Sequence, residues 1–258
     1  MQVLALTSSA GRVPGLRAQG ARPLVGNLDD AGTLRRLSGL ATRVLHLAPP
    51  PGEGAGGDAW WRDPRTVALT RALRLRSLPA SLVYASTSGV YGDCQGALVP
   101  ETRTVAPGTP RAQRRVNAER AVRHLGRAGV RATVLRIPGI YAPDREGGTP
   151  EARLRRGTPV LVAEDDVFTN HIHADDLARA CMAAVWKGRP QRAYNVSDST
   201  HMKMGDYFDL AADLYGLPRP PRVPRSQAQA SRVPGNCSGP GMSPQNMPAA
   251  TPRASGWR

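Results

Sequence analysis

Lysine is nearly missing from this 258-residue chain: Lys187 and Lys203 are the only two, so the 35 basic residues are almost all arginine. Set against 20 acids they leave a net charge of +15, which first suggests a polyanion partner. Abundant Arg, Ala, Gly and Pro with scarce Lys reads as compositional bias, and no nucleic-acid recognition motif accompanies the charge, so nucleic acid is not an expected partner. The three cysteines, Cys94, Cys181 and Cys237, have neither metal-ligand nor pairing spacing, and one would be left over. They read as structural or free thiols in a reducing compartment. No apolar run approaches the ~18 residues of a membrane helix. The N-terminus has no basic segment leading into a long apolar one, so neither a membrane nor a secretory route is expected, and the cytoplasm is the default. No acid follows Asp213, and Pro, Ser, Gly, Gln and Arg dominate residues 218–258 without periodicity. Such a composition buries too little apolar surface to order itself, so this tail is expected to be disordered.

What is present alternates. Val3 to Leu6 reads as a buried strand, followed by Thr7-Ser8-Ser9 and a short helix from Arg12 to Gln19. Pro23 to Gly26 reads as a second strand, Thr33 to Leu40 as a helix and Val44 to Ala48 as a third strand. Strands alternating with helices imply a parallel, doubly wound α/β sheet. A helix is expected from Asp58 to Arg76, with Trp60 and Trp61 packed in a core or interface in preference to serving as a substrate platform. His46, at a strand end, reads as a hydrogen-bonded structural histidine, and the glycine-rich stretch 52–57 as a loop. Leu82-Val83-Tyr84-Ala85 is a run short enough for a strand buried on both faces. Ser86-Thr87-Ser88 follows at its carboxyl end, where open α/β sheets bind ligands. Thr109-Pro110 is an N-cap with proline at the first helical position, predicting a helix from about Arg111 to Arg123. Ala132 to Ile137 and Val160 to Val162 read as strands. His171 and His173 alternate on another and face one way, but no third ligand completes a metal site, so a structural role is expected. Asp175 caps a helix over Asp176 to Lys187 ended by Gly188, Tyr194 to Val196 is a strand, and Gly216 closes a helix over Lys203 to Tyr215.

Several of these pieces together resemble a known family. The strand, the hydroxyl cluster, Val90-Tyr91-Gly92, the Glu101-Thr102 loop and the Pro-led helix are similar to the extended short-chain dehydrogenase/reductase superfamily, in its epimerase/dehydratase branch. Leu135-Arg136 running to Tyr141-Ala142-Pro143, His173-Ala174-Asp175-Asp176-Leu177-Ala178 and Tyr194-Asn195-Val196 extend the resemblance over about Val3 to Leu217. It implies a Rossmann-like fold with helices on both faces over residues 1–217, with a small substrate lobe mainly in 142–217. It also implies an NAD(P)-dependent epimerase, dehydratase or reductase acting on a nucleotide sugar or similar small molecule, with a homodimer as one open assembly. Carried over by position, Thr87 polarises the substrate, and Ser88, Tyr91 and Tyr141 touch it. Asn27 and Leu28 meet the adenine, Ala48 and the Ser86 backbone meet the dinucleotide, and Pro138 and Ile140 lie along the nicotinamide. Ser8 and Arg12, with no acid at that strand end, lean towards the 2′-phosphate of NADP over NAD. Arg145 and Arg153 to Arg156 would hold a substrate phosphate or form a solvated helix face.

Two departures qualify the resemblance. The family's Tyr-x-x-x-Lys positions are occupied by Arg111 and Arg115. Arginine remains protonated at physiological pH, so neither can do the tyrosine's acid/base work. Arg115 remains able to hold a ribose or phosphate, and Arg111 to grip an anion through its planar fork. No Gly-x-Gly-x-x-Gly turn precedes Gly26, so Met1 is expected almost at the family's second strand. The first strand's two neighbours would then have unpaired edges. A rival function follows: a non-catalytic dinucleotide or metabolite binder, or an inactive fragment of such an enzyme.

Overall fold

Strand and helix do alternate from the start. A computed structural model describes residues 1–52, 59–94, 96–144 and 147–230. Leu4–Thr7 (β1) leads through Val13–Ala18 (α1) to Arg22–Val25 (β2). Ala31–Leu34 (α2) is one turn, capped by the Asp30 carboxylate accepting from the Gly32 N–H, and Arg43–His46 (β3) follows. Pro64–Leu73 (α3) starts where Asp63 accepts from the Thr66 N–H and Pro64 pre-sets the first helical φ. The helix expected from Asp58 therefore begins six residues later, because Asp63-Pro64 is the stronger start signal; Asp58 itself lies outside the described residues. Ser81–Thr87 (β4) is followed by Pro110–Gly126 (α4), capped by Thr109 as the sequence predicts. Arg131–Ile137 (β5), Gly139–Tyr141 (β6), Glu151–Arg155 (α5), Val160–Leu161 (β7), Phe168–Thr169 (β8) and His171–His173 (β9) come next. Ala174–Lys187 (α6), Arg192–Asn195 (β10), Met202–Lys203 (β11), Met204–Tyr215 (α7), Arg222–Val223 (β12) and Arg225–Ala230 (α8) complete the order.

The chain forms two units. The first comprises Met1–Val90, Thr109–Leu135 and Cys181–Tyr194, and the second Tyr91–Gly108, Arg136–Ala180 and the chain from Asn195. The chain crosses between them repeatedly. Tyr91–Gly108 and Arg136–Tyr141 join the second unit, and the end of α6 returns to the first. Sequence order does not reveal such crossings, because what a segment packs against is set by distant residues.

In the first unit the strands fall into two sheets, β1-β2 and β10-β5-β4-β3. β1 and β2 run parallel with Leu4 opposite Arg22, and β3 and β4 run parallel with Arg43 opposite Ser81. Among the described residues β1 pairs only with β2, and β3 only with β4, so each keeps an edge without a strand partner. The core gathers on β4: Leu82 and Tyr84 from one face meet Leu69 and Leu73 of α3 and Ala118, Val122 and Leu125 of α4, all deeply buried. Spacings of two on the strand and of three and four on the helix put these side chains on facing surfaces. Each fully buried Leu or Val contributes about 1.5–3 kcal/mol.

The second unit is built on short strand pairs, β6 with β9 and β7 with β12 in parallel and β8 with β11 antiparallel. Its core joins Leu154, Val160, Phe208, Ala211 and Ala212. α7 ends at Gly216, whose φ of +62° is the left-handed conformation that glycine adopts freely. In the Val-Tyr-Gly motif, Gly92 has φ +70° and a Cβ there would collide with the Ala106 carbonyl oxygen. Residues 222–230, within the stretch the sequence led us to expect disordered, form β12 and α8, with Arg222 opposite Val160 and its guanidinium 2.6 Å from Asp209. That pairing supplies contacts which composition alone does not reveal. The remainder of the tail, the glycine-rich stretch from residue 53 and Arg145 lie outside the described residues. Among the described residues no helix is long and apolar enough to cross a membrane.

Candidate active site

In the first unit, β4 delivers the hydroxyl cluster at its carboxyl end. Thr87 is half-buried, and its Oγ1 accepts from the Gly89 N–H at 3.2 Å while its own proton has no acceptor among the described residues. Ser86 faces the other way, buried, with Oγ donating to Glu119 Oε1 at 2.6 Å, which leaves its backbone as the part able to meet a ligand. Ser88 is 7 % exposed, at the start of the short 3-10 turn Ser88–Tyr91.

α4 brings Arg111, Arg114 and Arg115 to this end of the unit, because spacings of one, three and four place all three within its first two turns. Arg115 is buried, and its Nη1 donates to the Ala85 carbonyl at 2.6 Å and to Tyr84 Oη at 3.1 Å. It clamps the strand that carries Thr87. Arg111 is exposed, without a hydrogen-bond or ion-pair partner among the described residues. Partial burial, then the neighbouring Arg115 and Arg114 charges, pull its pKa below the usual arginine value. Neither arginine can cycle a proton, but both can hold negative charge.

Further along the unit, the Ser9 N–H donates to Thr7 Oγ1 at 3.2 Å, closing a turn after β1 that leaves Ser8 and Arg12 exposed. Asn27 is bracketed by Thr33: its N–H donates to Thr33 Oγ1 at 3.1 Å, and its carbonyl accepts from the same hydroxyl at 2.8 Å. Asn27 Oδ1 accepts from the Asp29 N–H at 3.0 Å, and Leu28 packs against the core. Asp29 forms a bidentate pair with Arg65 at 2.6 and 2.7 Å, which holds its carboxyl below the usual range. Arg65 also reaches the Pro49 carbonyl at 3.2 Å, tying together the loops after β2 and β3, where half-buried Ala48 sits. Ser8, Asn27 and Ala48 therefore lie just after the carboxyl ends of β1, β2 and β3, and the hydrogen bonds above hold Asn27 and the loop beside Ala48.

His46 is structural, as expected: Nε2 lies 2.8 Å from Thr66 Oγ1, which in turn donates to Asp63 at 2.6 Å. Burial, helped by the Arg115 charge, pushes it down to about 4. For Trp60 and Trp61 the core alternative is overturned: they are 49 % and 44 % exposed, ahead of α3. Sequence reasoning also passed over Glu119 and Arg114; an acid within an otherwise basic helix was the available signal for the first.

In the second unit, Tyr91 corrects another expectation. It is 1 % exposed, and its hydroxyl is committed to Asn195 Oδ1 at 2.7 Å and Arg136 Nη1 at 2.8 Å. It braces its own unit rather than facing a substrate. Pro138 and Ile140 are half-buried beside Tyr141. The Tyr141 ring meets His171 and His173 edge-on, with centroids 6.4 and 5.3 Å apart, and His171 stacks on Tyr207 at 4.4 Å. Burial lowers the His171 pKa and raises those of Tyr141 and Tyr207. Arg153 lies 4.4 Å from the Phe208 ring centroid, an inward placement rather than a solvated face. Among the described residues no group of three His, Cys, Asp or Glu could hold a metal ion.

Comparison with known proteins agrees with this architecture. The sequence model of the NAD dependent epimerase/dehydratase family matches residues 3–197. A functionally unknown conserved protein from Silicibacter pomeroyi DSS is 25 % identical, with 96 % of this chain and 80 % of that chain covered and a TM-score of 0.65. A dTDP-glucose 4,6-dehydratase double mutant from Streptomyces venezuelae, solved with NAD and DAU bound, is 20 % identical over 87 % of this chain and 76 % of that one, with a TM-score of 0.70. A UDP-glucose 4-epimerase from Thermotoga maritima, solved with UDP-glucose, is 19 % identical over 87 % and 86 %, with a TM-score of 0.68. No curated protein matches the chain. With the family model matching well over half of its residues and the expected α/β fold in place, the chain belongs to the NAD dependent epimerase/dehydratase family.

Proposed function

We propose that this chain acts as an NAD(P)-linked epimerase, dehydratase or reductase on a nucleotide sugar or similar small molecule. The observation that carries the reading is the Thr87 hydroxyl, half-buried at the carboxyl end of β4, with its oxygen held by the Gly89 N–H and its proton free to donate. A hydroxyl fixed in this way aligns a substrate oxygen without first ordering itself. The adenosine end of a dinucleotide fits the residues present: exposed Arg12, whose guanidinium has no partner among the described residues, suits with Ser8 a 2′-phosphate, which favours NADP over NAD, and Asn27 keeps its Nδ2 donor for the base. Ala48 and the Ser86 backbone would continue that contact within the same unit. When bound, the dinucleotide supplies the hydride acceptor. Arg115, fixed on the Ala85 carbonyl, and Arg111 hold negative charge in the substrate; they do not move the proton.

A second reading has one observation in its favour. The two positions where the wider superfamily has its acid/base pair hold guanidiniums, and one is already engaged with β4, which suits binding without turnover. Calorimetric titration of the full chain with NADP⁺ and NAD⁺, after confirming cooperative melting, separates the two when paired with an assay. The enzyme reading expects saturable binding, NADP⁺ ahead of NAD⁺, and NAD(P)H-linked turnover that falls about tenfold or more in Thr87→Ala. Binding without turnover on any nucleotide sugar would favour the second reading.

A further inference from the structure

We propose that the groove between α3 and α4 is a docking site for an acidic amphipathic helix of a partner protein. On α3, Val67, Arg71 and Arg74 follow one another at spacings of four and three. On α4, His124 and Leu125 lie three and four residues after Ala121, so each set shares one helix face. Together these residues line an open cavity of about 400 Å³. Its floor is apolar, with half-buried Val67 and Ala121 over buried Leu125, and its rim is exposed Arg71, Arg74 and His124. Grooves of this kind take amphipathic helices: apolar anchors at spacings of three and four enter the floor, and the flanking side chains meet the rim.

The rim fixes the sign of the partner. The Arg71 guanidinium has no partner among the described residues. Arg74 Nη1 donates to His124 Nε2 at 3.0 Å, and a ring nitrogen brings no negative charge to answer the guanidinium. The first unit has no acid to spare for them. Among its described residues the acids are Asp29, Asp30, Asp63 and Glu119, engaged with Arg65, the Gly32 N–H, Thr66 and Ser86 respectively. A second copy meeting this face by two-fold symmetry would set the same arginines against themselves, because such a contact uses one patch twice. Carboxylates on a different protein remove that conflict. Exposed pairs at the rim then select the partner and speed its encounter, while the apolar floor supplies most of the affinity. The site depends neither on bound cofactor nor on turnover.

The test titrates the full chain into a fluorescein-labelled peptide of about 14 residues, leucine on one helical face and glutamate on the rest, and follows anisotropy. A scrambled peptide of the same composition and a version with lysine for glutamate are the controls. The amphipathic acidic peptide is expected to bind about tenfold or more tighter than the scrambled one, and the lysine version not to bind. Arg71→Glu combined with Arg74→Glu should weaken the acidic peptide about tenfold or more and strengthen the lysine version. Ala121→Phe fills the groove without changing its charge and should bring the acidic peptide down to the scrambled one. Arg71 and Arg74 are exposed and Ala121 is half-buried, so each variant should melt like the parent. Equal binding of the two acidic peptides, or affinity within about twofold of the parent in both variants, overturns the proposal. A chain that sediments as a dimer and turns monomeric in Ala121→Phe also overturns it, since a second copy then fills the groove. So does tighter binding to phosphatidylserine vesicles or duplex DNA than to the peptide, lost in the arginine variant, since the rim then serves a membrane or a nucleic acid.

Discussion

β1 and β4 start from similar material, Leu-Ala-Leu-Thr in one and an apolar run ending in Ala-Ser-Thr in the other, yet their fates differ. Leu82, Val83 and Tyr84 are fully buried, whereas every residue of β1 is only half-buried. β4 has β3 on one edge and β5 on the other, with α3 and α4 packed on a face. β1 has one strand partner, and apolar side chains show on the strands at both open edges: Val3 beside β1 at 46 % and Leu45 of β3 at 36 %. Apolar composition qualifies a strand for burial. The number of neighbours decides whether burial happens.

The sharpest way to break this contrast is a matched pair of truncations. Tyr84→Ala removes a buried ring and one of the two acceptors of Arg115 Nη1, and should cost about 3–5 kcal/mol. Leu4→Ala in β1 should cost about 1 kcal/mol, since only part of its surface leaves water on folding. Urea denaturation of both measures the difference, and equal losses would show that the two sheets share one core. The next largest effect is the pH response of the larger sheet. His46 is neutral in the folded chain down to about pH 4, while the unfolded chain binds that proton near 6.5. Its stabilising contribution is therefore complete above pH 6.5 and is lost as pH falls towards 4, by about 3 kcal/mol at most. Denaturation midpoints between pH 7 and 4 should fall less steeply in His46→Gln; parallel slopes would remove His46 from the account. The smallest effect is expected at the open edges. Val3→Lys should leave stability within about 0.5 kcal/mol, while reducing any concentration-dependent association seen by light scattering, because charge on an edge discourages strand pairing.

Much of the fold is legible locally. Thr109-Pro110 starts α4, Gly216 ends α7 and the run from Leu82 builds β4, because each signal acts within a turn or a few residues of itself. The start of α3 was equally available in Asp63-Pro64 and lost only to a longer apolar pattern. The candidate site is less legible. Thr87 is placed by its strand, but that Tyr91 is a buried strut depends on Asn195 and Arg136, 104 and 45 residues away. That Trp60 and Trp61 face solvent depends on what fails to cover them.

The amino-acid order alone determined the α/β alternation, the caps, the family elements and the arginines at positions 111 and 115. Those features follow from backbone preference, hydrophobic period and side-chain chemistry, all of which a residue carries wherever it sits. Only the tertiary structure decided that the sheet divides after β2, that Arg114 and Arg115 are buried against β4 and Trp60 instead of solvated, and that the chain passes repeatedly between two units. Burial and charge compensation are properties of whatever packs against a residue, and those partners lie far along the chain.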